Sequence, residues 1–350
     1  MPGLGIPVEL GAEFIHGEAE ATYALLHRAH IASVMAVREQ RSPRGGRLVR
    51  INSFAEAQRA VKGAELGEDI SFERFLSTRR LPGRTKVLAR MMVEGFDAAD
   101  PRRVSARSII EERASLGAQP RPQGGYGALM DWMTRTALRN GARLRLESPV
   151  RDLHWRRGSV AANGVKAKRA IITLPVPLIH LKEKRAALRK LAAGPVVRVA
   201  LAFDEEFWRR RAKDAAFFHS PKAAFPTFWT PLPMRAPLLT CWAGGPKAAR
   251  LTGRKPAVLI QHALQSVRSV FGPPPPLMGA YVQDWRADPW ARIGYSYLLV
   301  GGEGAREELA KPLKETLFFA GEATDTEESG TVAGALRSGQ RAAKEVLESL

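Results

Sequence analysis

Residues 317–343 read LFFAGEATDTEESGTVAGALRSGQRAA, and the order of types suggests chemistry. An apolar run ends at Gly321-Glu322, a loop carries further acids, and a helical pattern then opens on small residues. Gly330, Ala333, Gly334, Ala335, Ser338 and Gly339 leave its first turns almost bare. A bare helix start presents unpaired N–H groups and the positive end of the helix dipole. Electron-rich carbonyls or phosphates can approach it closely. Small residues also serve tight helix–helix packing, and spacing alone does not choose between the two. Ser329-Gly330 stands where an N-cap is expected. Val332, Leu336, Gly339, Ala343, Val346, Leu347 and Leu350 then share one helical face, which predicts the packed side.

The rest of the chain must hold that segment in place. VELGAEFIHGE, at 8–18, is a short strand-like run broken by glycines, and a helical pattern follows at 20–30. RSPRGGRLVRI, at 41–51, predicts a hairpin around Gly45-Gly46. Residues 54–115 read as mostly helical, with breaks at 81–83 and 100–101. A glycine loop then leads into an amphipathic helix over about 126–140, followed by two short strands. RAIITLP, at 169–175, predicts a strand buried on both faces. VVRVALAF, PLLTCWAGG and PLMGAYVQDW predict further strands, and PPPP at 273–276 a stiff turn. Strands mixed with helices in this way argue an α/β or α+β architecture.

The totals narrow the function. A chain of 350 residues, 45% hydrophobic and 25% charged, makes one large or two ordinary globular domains. No stretch approaches the apolar length of a membrane span, so no membrane partner is expected. The first residues lack the basic start and apolar run of a secretory signal. A net charge of +19 attracts anionic partners. The Arg and Lys are dispersed, however, and no nucleic-acid-binding motif accompanies them, so no nucleic-acid partner is expected. The lone cysteine, Cys241, excludes an internal disulfide framework and a Cys-rich metal site. A reducing cytoplasm is the expected compartment.

AGEATD followed by ESGTVAGALRSGQRAA resembles the C-terminal flavin-binding segment of the flavin-containing amine oxidases, the family of monoamine and polyamine oxidases. ELGAEFIHG, VEGFDAADPRRVSA, PQGGYGALMDWM with LESPVRDLHW, AIITLPVPLI, GPVVRVALAFDEEFW and DWRADPWARIGYSY resemble further segments in that family's order. The likeness covers nearly the whole chain. It implies an α/β (α+β) fold: a discontinuous FAD-binding Rossmann-like domain and a substrate domain with a mixed sheet and helices. The implied division gives 1–40, 116–178 and 294–350 to the FAD domain, and 41–115 and 179–293 to the substrate domain. The family's opening strand, GxGxxG turn and helix are not found. Gly3 and Gly5, for example, are not followed by a third glycine at the required spacing. An N-terminally shortened member lacking its first βαβ unit is therefore expected, with exposed apolar sheet edges and weakened FAD binding.

The resemblance also implies roles for single residues. Glu322, beside Gly321, would lie near the ribityl–pyrophosphate part of FAD. The backbone of Thr331 and Val332, just after Gly330, would face the pyrimidine edge of the flavin, where N–H groups stabilise negative charge on reduction. Val150 would touch the adenine side through its backbone. Tyr295 matches the aromatic before the flavin face, while Thr331 occupies the place of its usual partner ring. Arg198 falls where many members carry a lysine that holds a water. It is no neutral base, and either holds a water or an acidic substrate group or points to solvent as a plain strand residue. His16 would line the substrate cavity. Gly294 takes the position of the flavin-bonded cysteine of monoamine oxidases, so FAD is expected to be non-covalent. Trp285 and Trp290 are expected near the cavity. The implied reaction oxidises a C–H bond beside an amine nitrogen to an imine and reduces O2 to peroxide. A small-molecule amine and O2 are then the partners. The alternatives are a non-catalytic remnant acting as a binding or scaffold protein, and a desaturase-type flavoenzyme.

Overall fold

Val196–Phe203 is buried along its whole length, as a central strand of this composition must be. The computed structural model, which describes residues 4–113 and 119–350, sets it between Leu238–Gly244 and Leu277–Asp284, antiparallel to both. Thr227–Trp229, Phe217–His219, Gln40–Arg44 and Arg47–Ile51 extend this sheet to seven strands. The sheet is mixed, because Phe217–His219 runs parallel to Gln40–Arg44. The hairpin Gln40–Arg44/Arg47–Ile51 turns at Gly45 and Gly46, with φ of 55° and 74°. A two-residue hairpin loop of this kind requires positive φ at both positions, which glycine supplies.

Alternation along the central strand separates two environments. Val197, Val199 and Leu201 point into a core with Phe218, Leu239 and Cys241, covered by Leu259, Ala263 and Val267 of the helix Pro256–Phe271. Arg198 points the other way, toward the second half of the molecule. The helices Ser53–Val61, Phe72–Thr78, Gly83–Gly95 and Ala106–Arg113 form a second core around Phe72, Leu76 and Val93. The domain boundary expected at 115/116 lies outside the described residues. Among the described residues no helix is long and apolar enough to cross a membrane.

A separate parallel pair, Ala170–Ile172 and Leu317–Phe319, leads into the C-terminal segment. The final helix, Val332–Glu348, packs on it through Ala342 against Phe318 and Ala320. Residues 169–175 were expected to be buried on both faces, yet Ile171 is 41% and Leu174 49% exposed. Among the described residues the strand has a partner on one side only. An apolar run records what the side chains favour, not which neighbours stand beside them. Of the two strands expected after the helix Gly125–Arg139, one forms, Leu153–Arg156. Leu144, Leu146 and Val150 remain exposed in irregular chain.

The final helix also departs from the expectation. Thr331, not Ser329, is the N-cap, its Oγ1 accepting from Gly334 N at 3.0 Å. The buried side is Ala333, Gly334, Ser338 and Ala342, while Ala343, Leu347 and Leu350 are exposed. Close approach explains the inversion. A Cβ at Gly334 would stand 2.2 Å from the carbonyl oxygen of Glu328, so the loop before the helix needs bare backbone there.

Candidate active site

The start of the final helix, the end of the parallel pair and the Arg198 face of the large sheet enclose a cavity of about 1110 Å³. His16, Arg198, Tyr295, Gly321, Glu322, Gly330, Thr331 and Val332 all line it. Val150 does not; it lies on the surface, 58% exposed. Trp285 lines the cavity, whereas Trp290 is 62% exposed and stands outside it. The two readings of the small-residue helix start therefore divide by residue. Gly334 serves packing, whereas Gly330, Thr331, Val332 and Ala335 line the cavity, with Gly330 set against the Tyr295 side chain.

Local sequence shapes this corner. The Thr331 side chain satisfies Gly334 N, and Thr331 O accepts from Ala335 N. The N–H groups of Val332 and Ala333 find no acceptor among the described residues, as the first turn of a helix dictates. Glu322 ties the turn to the strand Tyr295–Leu298. Its Oε1 accepts from Ser296 N at 3.0 Å, and its Oε2 from Ser296 Oγ and Gly330 N, both at 2.9 Å. Burial raises the Glu322 pKa from its ordinary 4.5, against the pull of Arg306 beside it. Tyr295 donates its hydroxyl to Phe96 O at 2.5 Å. A Cβ at Gly294 would lie 2.5 Å from Val196 Cγ2, so that position has no room for a side chain unless Val196 shifts.

Arg198 does not reach solvent. Its side chain is 2% exposed and donates to Gly11 O at 3.0 Å and to Glu13 Oε2 at 2.5 Å. The guanidinium lies 5.2 Å from the Trp229 ring centroid. Glu13 also accepts from Arg121 Nε at 2.7 Å and from Trp229 Nε1 at 2.9 Å. Burial penalises the Glu13 carboxylate, but Arg198 and Arg121 outweigh that penalty and hold its pKa below the ordinary 4.5. Behind this wall Arg198 and Arg121 share Glu13, and the half-buried Glu9 carboxyl interacts with both Glu13 and Arg198. Sequence reasoning missed Glu13 and Arg121. Their only local signal is a charge set in apolar company, Glu13 before Phe14-Ile15 and Arg121 between two prolines.

Rings form the remaining wall. Successive contacts run Phe54, Phe96, His16, Phe14, Trp229 and Trp242, with centroids 5.0–6.1 Å apart. Burial lowers the His16 pKa from 6.5 to about 4, so its imidazole is neutral at pH 7. An aromatic wall attracts an amine, and desolvation favours the amine's uncharged form.

Residues 44–347 match the family model for flavin containing amine oxidoreductases. The chain belongs to that family. Wild-type putrescine oxidase solved with putrescine shares the fold of this chain. The TM-score is 0.82 at 18% identity, over 97% of this chain and 88% of that one. Cyclohexylamine oxidase from Brevibacterium oxydans gives a TM-score of 0.76 at 17% identity, over 98% and 88%. Both share its mixed α/β architecture. Among curated relatives, lysine-specific histone demethylase 2 of Homo sapiens is 30% identical over 248 residues, covering 63% of this chain and 29% of its own length. Lysine-specific histone demethylase 1 homolog 3 of Arabidopsis thaliana is 30% identical over 178 residues, covering 48% and 11%. The chain thus spans less than a third of the length of these relatives.

Proposed function

We propose that the chain binds FAD non-covalently and oxidises a C–H bond beside an amine nitrogen, with O2 as electron acceptor and hydrogen peroxide and an imine as products. The observation that carries this reading is the cavity itself. One continuous space of about 1110 Å³ joins unpaired helix N–H groups to an aromatic wall. Its residues suit the group the family implies. Val332 and Ala333 offer donors without acceptors, and a Cβ at Gly321 would meet nothing within 4 Å. Bound there, FAD would supply hydride acceptance from the amine carbon and electron delivery to O2.

The chain's own residues would do the rest. Thr331, Val332 and Gly330 would hold the electron-rich edge of the ring, with the helix dipole favouring negative charge there. Gly321 and Glu322 would hold the ribityl–pyrophosphate side. Tyr295, fixed by its bond to Phe96 O, would orient the amine. The neutral His16 could accept an amine N–H. Arg198 is held in its pairing with Glu13, and a guanidinium does not serve as a base, so it would act by its field. Removal from water in this apolar cavity disfavours an ammonium and so favours the amine with its lone pair free. The lone cysteine leads us to propose the cytoplasm.

A second reading, a binding protein without turnover, draws on the exposed Ile171 and Leu174 at the parallel pair and on the exposed Leu144 and Leu146. Two measurements separate the two. The purified chain is titrated with FAD and its absorbance followed; amines are then added without oxygen. Uptake of FAD with amine-dependent bleaching supports the oxidase. A chain that ignores added FAD refutes it in favour of the second reading.

A further inference from the structure

The sheet wall of the cavity has two different ends. Cross-strand register sets Arg198 beside Trp242, Trp242 beside Thr227 and Thr227 beside His219. Directly paired residues share a face, so these four form one row across four strands. Neighbouring strands are separated by about 4.8 Å, and the row spans about 14 Å. At one end stands Arg198, ion-paired with Glu13. The middle holds Trp242 and Thr227. At the far end is His219, 5% exposed, its Nδ1 3.3 Å from Thr227 Oγ1 and its Nε2 without a partner.

Gln40 stands on the next strand, paired with Phe217, and also lines the cavity at 4% exposure. Its Oε1 accepts from both Ser53 N and Ser53 Oγ at 2.8 Å. That fixes the orientation of the carboxamide. Its Nε2 donors have no acceptor among the described residues. Buried polar groups in folded proteins are nearly always satisfied, and leaving one unmade is costly. His219 Nε2 is such a buried atom, and Gln40 lines the same cavity, where a ligand can reach both. Burial also keeps the His219 ring neutral, its pKa lowered from 6.5 to about 4.

We propose that His219 and Gln40 form a distal subsite for an oxygen-bearing terminal group, a hydroxyl or a carboxamide, at the far end of the amine substrate. The inference rests on the amine-binding reading and extends it to a substrate class. Gln40 Nε2 can only donate, so its ligand must accept. A hydroxyl or amide oxygen accepts from Gln40 and can exchange a second hydrogen bond with His219 Nε2 in either tautomer. A terminal ammonium carries no acceptor and cannot use Gln40. Preferred substrates are therefore long amino alcohols or amino amides rather than diamines or plain alkylamines.

The test is equilibrium binding by calorimetry on the full chain without added FAD, so that no turnover intrudes. The probes are straight-chain primary amines of increasing length, each ended by methyl, hydroxyl, carboxamide or ammonium. Chains long enough to reach the subsite should bind about tenfold tighter with a hydroxyl or carboxamide end than with a methyl or ammonium end. His219→Leu should remove most of that preference while changing the Kd of the methyl-ended chain less than about twofold. Gln40→Glu, which replaces the donor by an acceptor, should turn the preference toward the ammonium end. Equal binding of all four ends, or a preference that survives both substitutions, overturns the subsite and leaves the amine reading standing. Failure of every amine to bind overturns the amine reading and the subsite with it.

Discussion

Replacing Glu13 by alanine probes the charge cluster behind Arg198. The carboxylate holds Arg198, Arg121 and the Trp229 indole N–H together. The two arginine side chains are 2% and 5% exposed, so neither can turn to water for compensation. Removing one partner of a buried ion pair costs about 3–5 kcal/mol, because a charge is left unpaired. Here two guanidiniums are left facing each other, and Glu13→Ala should fall at the upper end of that range. Replacing the whole cluster by apolar residues, Glu13→Leu with Arg121→Met and Arg198→Met, should restore most of the loss, since no buried charge remains. Urea unfolding followed by circular dichroism reads both. The pH dependence has a definite sign. A carboxylate whose folded pKa is lowered contributes stability above its ordinary value of 4.5. That contribution is lost as pH falls through the lower folded value, so the gap between wild type and Glu13→Ala should close below about pH 4.5. A loss under about 1 kcal/mol at pH 7, or a triple variant as unstable as the single one, would refute the reasoning.

Three further outcomes are expected. His16 and His219 are lowered by burial from 6.5 to about 4, so the unfolded chain takes up protons first as pH drops. Stability should fall between pH 6.5 and 4 by roughly 3 kcal/mol for each ring, and the slope should flatten in His16→Gln/His219→Gln; an unchanged slope counts against it. In thermal melts Gly339→Ala, where an added Cβ meets nothing, should stabilise by about 0.5–1 kcal/mol. Gly334→Ala should destabilise by about 1–3 kcal/mol through collision with Glu328 O, and equal shifts would sink that contrast. Tyr295→Ala should slow amine-dependent flavin reduction at least about tenfold, near 1.4 kcal/mol, while weakening FAD binding less; matched losses in the two assays would remove its proposed orienting role.

Local signals were readable where the cause is local. Gly45-Gly46 marked the hairpin because its turn needs positive φ at both residues. The amphipathic pattern after the glycine loop marked the helix Gly125–Arg139 within a residue at each end. Family likeness brought His16, Tyr295, Glu322 and Thr331 to one cavity, though their separation along the chain hides any contact. The final helix misled because large apolar residues advertise burial, whereas the passage of Glu328 O beside Gly334 rewards the smallest ones. Ile171 misled because its strand lacks a second neighbour. Glu13 was silent because nothing near it in sequence tells that two arginines and an indole will converge on it. The same holds for His219 and Gln40, whose unsatisfied nitrogens exist only once the sheet has set its register.

The bonds that converge on Glu13 span 108, 185 and 216 positions of chain. The last partner, Trp229, joins the chain 216 positions after Glu13, so the cluster is complete only once that much chain has been made. Until then Glu13 is an ordinary hydrated acid, and the wall it anchors does not exist. Loops of that length close late and slow folding. A chain cut before residue 229 would therefore lack the indole that completes the Glu13 cluster and the cavity wall from Trp242 to Val332.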